Sequence, residues 1–221
     1  MEKTKVMQLN IAAKTQDAGF SKFLYSIIFI FGSFLGVVYE DILQIIRTGF
    51  FKTHRGVIYG PFNPLYGFGI VLLVLFLSRF QKWWQQLIYG GFAMCTFEYL
   101  TSWLCETFTG QKPWDYTHQF LNINGRTTVT FLIGWGLLGL CFMQLIYPYL
   151  IRISLKTYTK PFKIIVKVMM ILLVIDMVIS YSAIILCFIR ESGIAPKTFI
   201  GRFFEKCYPA SYLKKFFTYM K

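Results

Sequence analysis

Six charged side chains of this sequence fall inside, or at the mouth of, long apolar stretches, where a lipid bilayer makes charge costly. A charge at the bilayer centre costs roughly 2.5–3.5 kcal/mol on insertion scales, so such residues are candidates for binding or proton transfer. Carboxylates can act as general acids or bases, and arginine can hold a phosphate or a carboxylate. The six residues are Glu40, Arg55, Glu98, Glu106, Asp115 and Arg126.

The apolar stretch of residues 83–107 carries polar residues on one helical face. Glu98, Ser102, Cys105 and Glu106 follow the i, i+4, i+7, i+8 spacing of a helix face. Glu98 lies roughly ten residues, or about 14 Å, from the end of this helix, so it needs a partner or a water-filled pocket. A pocket, ion or proton site and a structural hydrogen bond to a neighbouring helix both remain open, and Glu106 is close enough to the interface to be solvated.

Two loops carry the other candidates. Residues 54–67 contain prolines and glycines that exclude a continuous helix and predict an ordered, re-entrant loop, buried in protein or lining a cavity. Residues 113–126 are rich in aromatic and hydrogen-bonding groups, which an interfacial aromatic belt would explain only in part. The candidate polar pocket therefore contains Glu40, Arg55, Tyr59, Glu98, Ser102, Glu106, Trp114, Asp115, Tyr116, Asn122, Asn124 and Arg126.

A separate intramembrane carboxyl, Asp176, lies in the middle of the last apolar stretch, with Ser180 one turn later. Burying an ionised carboxylate is costly, so we expect Asp176 to be protonated or hydrogen-bonded within the bundle. This interpretation predicts that Asp176→Asn is nearly neutral for folding and activity, whereas Asp176→Leu reduces the folded yield.

The elements that position these residues follow from composition. The chain has 221 residues, of which 56% are hydrophobic and only 15% are charged, which is typical of an integral membrane protein. We predict an all-α, polytopic membrane helical bundle of about five transmembrane helices with structured polar loops and a C-terminal amphipathic segment. The predicted parts are a polar basic N-terminal segment (1–22), a transmembrane bundle (23–190) with spans at 24–46, 65–80, 83–107, 127–149 and 164–189, and a basic amphipathic tail (191–221).

The distribution of Lys and Arg over the short loops favours a multi-pass protein of the cell membrane with a cytoplasmic N-terminus. The tail beyond Arg190 places aromatic residues at helical spacing among lysines and arginines, which predicts a segment on a membrane surface that binds anionic lipid. Since anionic lipid favours the cytoplasmic face, the tail conflicts with the orientation from the loops. In the alternative, the tail aromatics pack on the bundle.

Several classes of site are disfavoured. The five cysteines are scattered, without C-x-x-C spacing, so neither a disulfide framework nor a zinc site is predicted. The first span follows a long polar segment, so we expect it to be retained and not removed as a signal peptide. We expect no metal, no cofactor and no nucleic-acid partner, and the oligomeric state stays open.

An ordered set of motifs resembles the bacterial putative ABC-transporter membrane family labelled CmpB, over about residues 25–185. His54 departs from the family, which often has Asn before the Arg-Gly pair. The motifs are Glu40, Arg55-Gly56, Tyr59-Gly60-Pro61, Pro64-Leu65-Tyr66-Gly67-Phe68-Gly69, Glu98-Tyr99-Leu100-Thr101-Ser102, Glu106, Trp114-Asp115-Tyr116, Asn122-Ile123-Asn124-Gly125-Arg126 and Trp135-Gly136-Leu137-Leu138-Gly139.

The resemblance implies a permease-like membrane subunit whose carboxylates and arginines form a polar vestibule. No G-x-x-x-x-G-K-[ST] motif occurs, so ATP hydrolysis would need a separate ATP-binding subunit, contacted through a coupling helix expected at residues 152–163. One alternative is an intramembrane enzyme acting on a lipid or lipid-linked substrate, with Glu98 or Glu106 as acid or base and Arg55 or Arg126 holding a phosphate. The other is a structural or regulatory membrane protein, so whether the chain is an enzyme stays open.

Overall fold

Helices dominate the computed structural model, which describes residues 17–51, 53–110, 112–194 and 196–217. This confirms the predicted all-α bundle. The elements in chain order are α1 (Ala18–Thr48), α2 (Pro64–Leu77), α3 (Trp83–Thr109), β1 (Asn122–Ile123), β2 (Thr127–Thr128), α4 (Val129–Cys141), a π-helical segment (Phe142–Ile146), α5 (Tyr147–Thr157), α6 (Lys160–Glu191), α7 (Phe199–Cys207) and α8 (Ala210–Leu213).

Three helices of the described chain are long and apolar enough to cross a membrane: α1, the continuous helix Val129–Thr157 and α6. The sequence predicts about five spans, and the other two correspond to α2 and α3. Helix α2 is apolar but has only 14 residues, and α3 has 27 residues with several polar side chains. Residues 1–16 of the predicted N-terminal segment lie outside the described residues.

Local sequence signals set the ends of the helices. Asp17 caps α1 by accepting a hydrogen bond from the Gly19 N–H at 2.8 Å, and α1 ends at Gly49, whose φ of 73° is left-handed. Asn63 caps α2, with a proline at its start. Thr128 caps α4 by accepting from the Phe131 N–H. Short polar side chains at these positions bond backbone N–H groups that the first turn leaves unpaired.

Glycines let two helix pairs approach closely. A Cβ at Gly36 of α1 would lie 2.3 Å from the Tyr66 ring of α2. A Cβ at Gly91 of α3 would lie 2.4 Å from the backbone oxygen of Leu132 in α4, so no larger residue fits without moving the helices apart. Contacts within one chain therefore account for these small residues, as the packing of helices in lipid requires.

The loop between α1 and α2 enters the bundle. The Asn63 N–H donates to the backbone oxygen of Ser33 at 2.8 Å, and Ser33 lies about 15 residues, or roughly 22 Å, before the end of α1. Val57 and Ile58 of this loop are 0% and 2% exposed. The loop is thus ordered and buried in protein, as the sequence predicts, and α2 begins partway through the bundle.

The predicted coupling helix at residues 152–163 is not formed. Residues Tyr147–Thr157 continue the preceding helix through the π-helical segment, and α6 begins at Lys160, so only Tyr158 and Thr159 link the two. Tyr158 packs edge-on against Phe20 at 5.2 Å between ring centroids. The link is therefore a tight turn held against the start of α1.

The C-terminal segment folds back onto the loop end of the bundle. Tyr208, Leu213 and Phe217 are buried in a cluster with Ile58 and Cys187. Three other apolar residues of α7 remain exposed, namely Phe199, Ile200 and Phe203. Part of the tail therefore packs on the bundle and part presents an apolar face outward. Met220, which also belongs to the predicted amphipathic pattern, lies outside the described residues.

Candidate functional site

Glu98 is buried on α3 and accepts hydrogen bonds from three neutral donors. Its side chain is 8% exposed, and the Thr127 hydroxyl donates to Oε2 at 2.8 Å. The Tyr116 hydroxyl approaches Oε1 at 3.4 Å, and the Trp135 indole N–H approaches Oε2 at 3.4 Å. Only the first distance lies in the usual range for a hydrogen bond. Oε1 therefore keeps capacity to accept a shorter bond or a proton.

Arg126, the residue before Thr127, forms an ion pair with Glu106. The Nη2 of Arg126 lies 2.5 Å from Oε2 of Glu106, and the guanidinium lies over the Tyr99 ring at 5.6 Å. Arg126 and Thr127 are consecutive, and they contact Glu106 and Glu98, which lie about two turns apart on the same face of α3. The β-turn at Asn124 and Gly125, with φ of 52° and 68°, directs the chain into this position.

Polar atoms without partners lie along the same row. Ser102, which is fully buried, lies between Glu98 and Glu106 on α3, and its hydroxyl has no hydrogen-bond partner among the described residues. Nε and Nη1 of Arg126 are buried and equally unpaired within the described chain. Buried donors of this kind are rare because each costs free energy. Each of these donors needs an acceptor that the described residues do not supply.

A second carboxylate approaches this row from α1. The Tyr66 hydroxyl of α2 donates a hydrogen bond to Glu40 Oε1. Burial, followed by the nearby charges of Glu98 and Glu40, raises the pKa of the Tyr116 phenol. Tyr116 therefore stays protonated at neutral pH, and its hydroxyl remains a donor towards Glu98.

Asp176 of α6 forms a different site, which binds the re-entrant loop. Its carboxylate is 7% exposed and accepts from the backbone N–H groups of Tyr59 at 3.2 Å and Gly60 at 2.9 Å. The Ser180 hydroxyl donates to Oδ1 at 2.9 Å and accepts from the Ile58 N–H at 2.8 Å. This arrangement pairs the loop backbone inside the bundle, as a membrane protein requires.

The structure places other candidates away from Glu98. The Arg55 guanidinium lies 4.8 Å from the ring centre of Phe216 in the tail. The Tyr59 hydroxyl bonds that of Tyr208 at 2.6 Å. Asp115 is exposed and accepts from the Thr117 N–H at 3.0 Å, and this bond lowers the pKa of its carboxyl.

Three candidates organise the hairpin. The Trp114 indole N–H donates to the backbone oxygen of Arg126 at 2.9 Å, and Asn122 accepts from the Gly125 N–H at 2.9 Å. The Asn124 amide donates to the Tyr99 hydroxyl at 3.0 Å. These side chains hold Arg126 in place and are positioning residues.

Tyr66, Thr127 and Trp135 are not among the pocket residues predicted from the sequence. Ser180 is predicted only as a neighbour of Asp176 one helical turn away. Each contributes a neutral hydroxyl or indole donor to a carboxylate, which is buried for Glu98 and Asp176 and half-buried for Glu40. Their only signal in the sequence is a polar atom at the edge of, or within, an apolar stretch. No group of three or more potential metal ligands (His, Cys, Asp or Glu) assembles in the described part of the chain.

A known protein family matches most of this chain. The family model described as putative ABC-transporter type IV matches residues 27–181, from α1 into α6. This segment contains Glu40, Glu98, Arg126 and Asp176, while α7 and α8 lie beyond it. Neither the curated proteins nor the solved structures gave a match.

Proposed function

Because this chain belongs to the putative ABC-transporter type IV family, we propose that it is a transport subunit of the cell membrane that binds a polar solute in a vestibule at the loop end of the bundle. The observation that carries the proposal is the row of unpaired buried donors on the α3 face. Ser102 and two nitrogens of Arg126 lack partners in the described chain. Ser102 lies between Glu98 and Glu106 along α3, and Arg126 pairs with Glu106.

The chemistry of the row defines the solute. Arg126 and Ser102 offer donors, so they suit an anionic or hydroxyl oxygen of the solute. Glu98 offers an acceptor at Oε1, where Tyr116 is 3.4 Å away, so it suits a hydroxyl or ammonium group. A small molecule with both kinds of group, such as a polyol or an amino acid, satisfies the row. Glu40 and its hydrogen-bond partner Tyr66 add polar groups to the side of the proposed vestibule.

Energy for transport would come from a separate ATP-binding subunit, since this sequence has no nucleotide-binding loop. Residues 152–163 do not form a separate coupling helix, because a tight turn at Tyr158 and Thr159 interrupts them. The ATP-binding subunit would therefore need another contact surface. The exposed basic side chains of Arg152 and Lys156 on α5 offer an alternative docking surface. Basic residues at this end of the bundle also support a cytoplasmic N-terminus.

The test is retention of a co-purifying solute by the protein in lipid nanodiscs, measured by native mass spectrometry. Glu98→Gln keeps the shape of the side chain but removes its charge, and Arg126→Gln removes the two unpaired donors. We expect both variants to lose the solute mass at normal expression. Arg79→Gln, which changes an exposed arginine in the link between α2 and α3 at the opposite end of the bundle, is the matched control and should retain it.

A framework role predicts a different pattern. If Glu98→Gln and Arg126→Lys keep the solute and any transport activity but lower thermal stability, the row is a buried ion-pair framework whose disruption leaves uncompensated charge. The same result would dismiss the alternative of an intramembrane enzyme that uses Glu98 as acid or base.

A further inference from the structure

An open groove lies where the last transmembrane helix meets the C-terminal tail. Its volume is about 300 Å³, and it is lined by Leu186, Ile189 and Arg190 of α6 and by Lys197 and Thr198 before α7, among others. One wall is therefore apolar and continues along α6, whereas the other carries positive charge. The groove is remote from Glu98 in the sequence and belongs to the segment outside the family match.

The groove contains a partly buried guanidinium. Nη2 of Arg190 donates to the backbone oxygen of Tyr208 at 3.2 Å, which ties α6 to the tail. Nη1 is buried, and the guanidinium also lies near the Cys187 thiol. A buried guanidinium donor of this kind favours an oxyanion, because charge-assisted hydrogen bonds are the stronger ones.

The surroundings of the groove favour a lipid. Apolar side chains project outward beside it, with Ile194 59%, Phe199 79% and Ile200 64% exposed. Exposed aromatic and aliphatic residues next to basic residues are typical of segments that lie at the level of lipid headgroups. No Asp or Glu occurs among the described residues that line the groove, so a positively charged choline group would find no counter-charge from them.

We propose that this groove binds an anionic phospholipid. Arg190 and Lys197 contact the headgroup phosphate, and the first acyl carbons pack against Leu186 and Ile189. Because the Arg190 guanidinium also holds Tyr208, an occupied groove fixes the tail against the bundle. Tyr208 in turn contacts Tyr59 of the re-entrant loop, so the bound lipid stabilises both segments.

The experiment titrates the full chain in detergent micelles with phosphatidylglycerol and follows lipid adducts by native mass spectrometry. Lys197→Gln is expected to weaken binding about fivefold, the effect of one basic residue near an anionic surface. Arg190→Gln is expected to weaken binding at least about tenfold. Phosphatidylcholine should bind more weakly than phosphatidylglycerol, and inorganic phosphate alone should not displace the lipid, because it cannot contact the apolar wall.

Lys206→Gln is the matched control. Lys206 lies on α7 but not in the groove, so this change should alter binding less than about twofold if the site is localised. The Lys197→Gln variant should fold normally, since Lys197 is exposed and forms no hydrogen bond or ion pair with the described residues. Equal losses from Lys197→Gln and Lys206→Gln, equal binding of both lipids, or full competition by phosphate would each overturn the proposal.

Discussion

Replacing Asp176 tests how the re-entrant loop is held inside the bundle. Both carboxylate oxygens act as acceptors: Oδ2 from the Gly60 N–H at 2.9 Å, and Oδ1 from the Ser180 hydroxyl at 2.9 Å. The Tyr59 N–H is shared between them at 3.2 Å. Asparagine keeps only one carbonyl oxygen, and its NH₂ group cannot accept from a backbone N–H.

The expected magnitude follows from the donors that lose their acceptor. An unpaired buried donor costs about 1–3 kcal/mol, so Asp176→Asn should lower the free energy of unfolding by about that amount. Asp176→Ala leaves both backbone N–H groups unpaired and should lower it by about 2–6 kcal/mol. The sequence alone predicts that Asp176→Asn is nearly neutral. The structure instead predicts a loss of stability, because both carboxylate oxygens accept hydrogen bonds.

The assay is equilibrium unfolding of the purified chain in mixed detergent micelles, followed by far-UV circular dichroism. Ser182→Ala, at a half-buried position of the same helix, is the control and should leave stability unchanged. If Asp176→Asn lies within about 0.5 kcal/mol of the wild type, the range of neutral substitutions, then one acceptor oxygen is enough to hold the loop, and the reasoning from two acceptor oxygens is refuted.

Two further predictions concern packing and pH. Gly91→Ala should destabilise the chain by about 1–3 kcal/mol, because the added Cβ would meet the Leu132 oxygen at 2.4 Å in a tightly packed interface. Gly134→Ala, with nothing within 4 Å, should not, and equal effects on thermal stability would contradict this packing. The hydrogen bond from the Thr117 N–H lowers the pKa of Asp115 in the folded state. The ionised Asp115 carboxylate therefore stabilises the folded protein above its unfolded-state pKa, and this stabilisation is lost as pH falls through the folded-state pKa. The difference in apparent Tm between the wild type and Asp115→Ala should therefore shrink from about pH 5 to about pH 3, and a constant difference would contradict the assignment.

Periodicity and composition allowed much of the architecture to be predicted. The apolar windows predict an all-α membrane bundle, and the spacing of Glu98 and Ser102 predicts the buried face of α3, because side chains three to four residues apart share a helix face. The prolines and glycines after α1 predict a break in helical structure for a similarly local reason. Each of these features depends on neighbours within a few residues.

Only the tertiary structure decided which groups meet. Thr127 rather than Arg126 bonds Glu98, and Arg126 instead pairs with Glu106, because the turn of the hairpin sets which residue faces each helical turn. Asp176 binds the Gly60 N–H across 116 residues of sequence. The local sequence shows that a buried carboxylate needs donors, but those donors come from whichever segment glycine-mediated packing brings alongside, and that depends on the whole bundle at once.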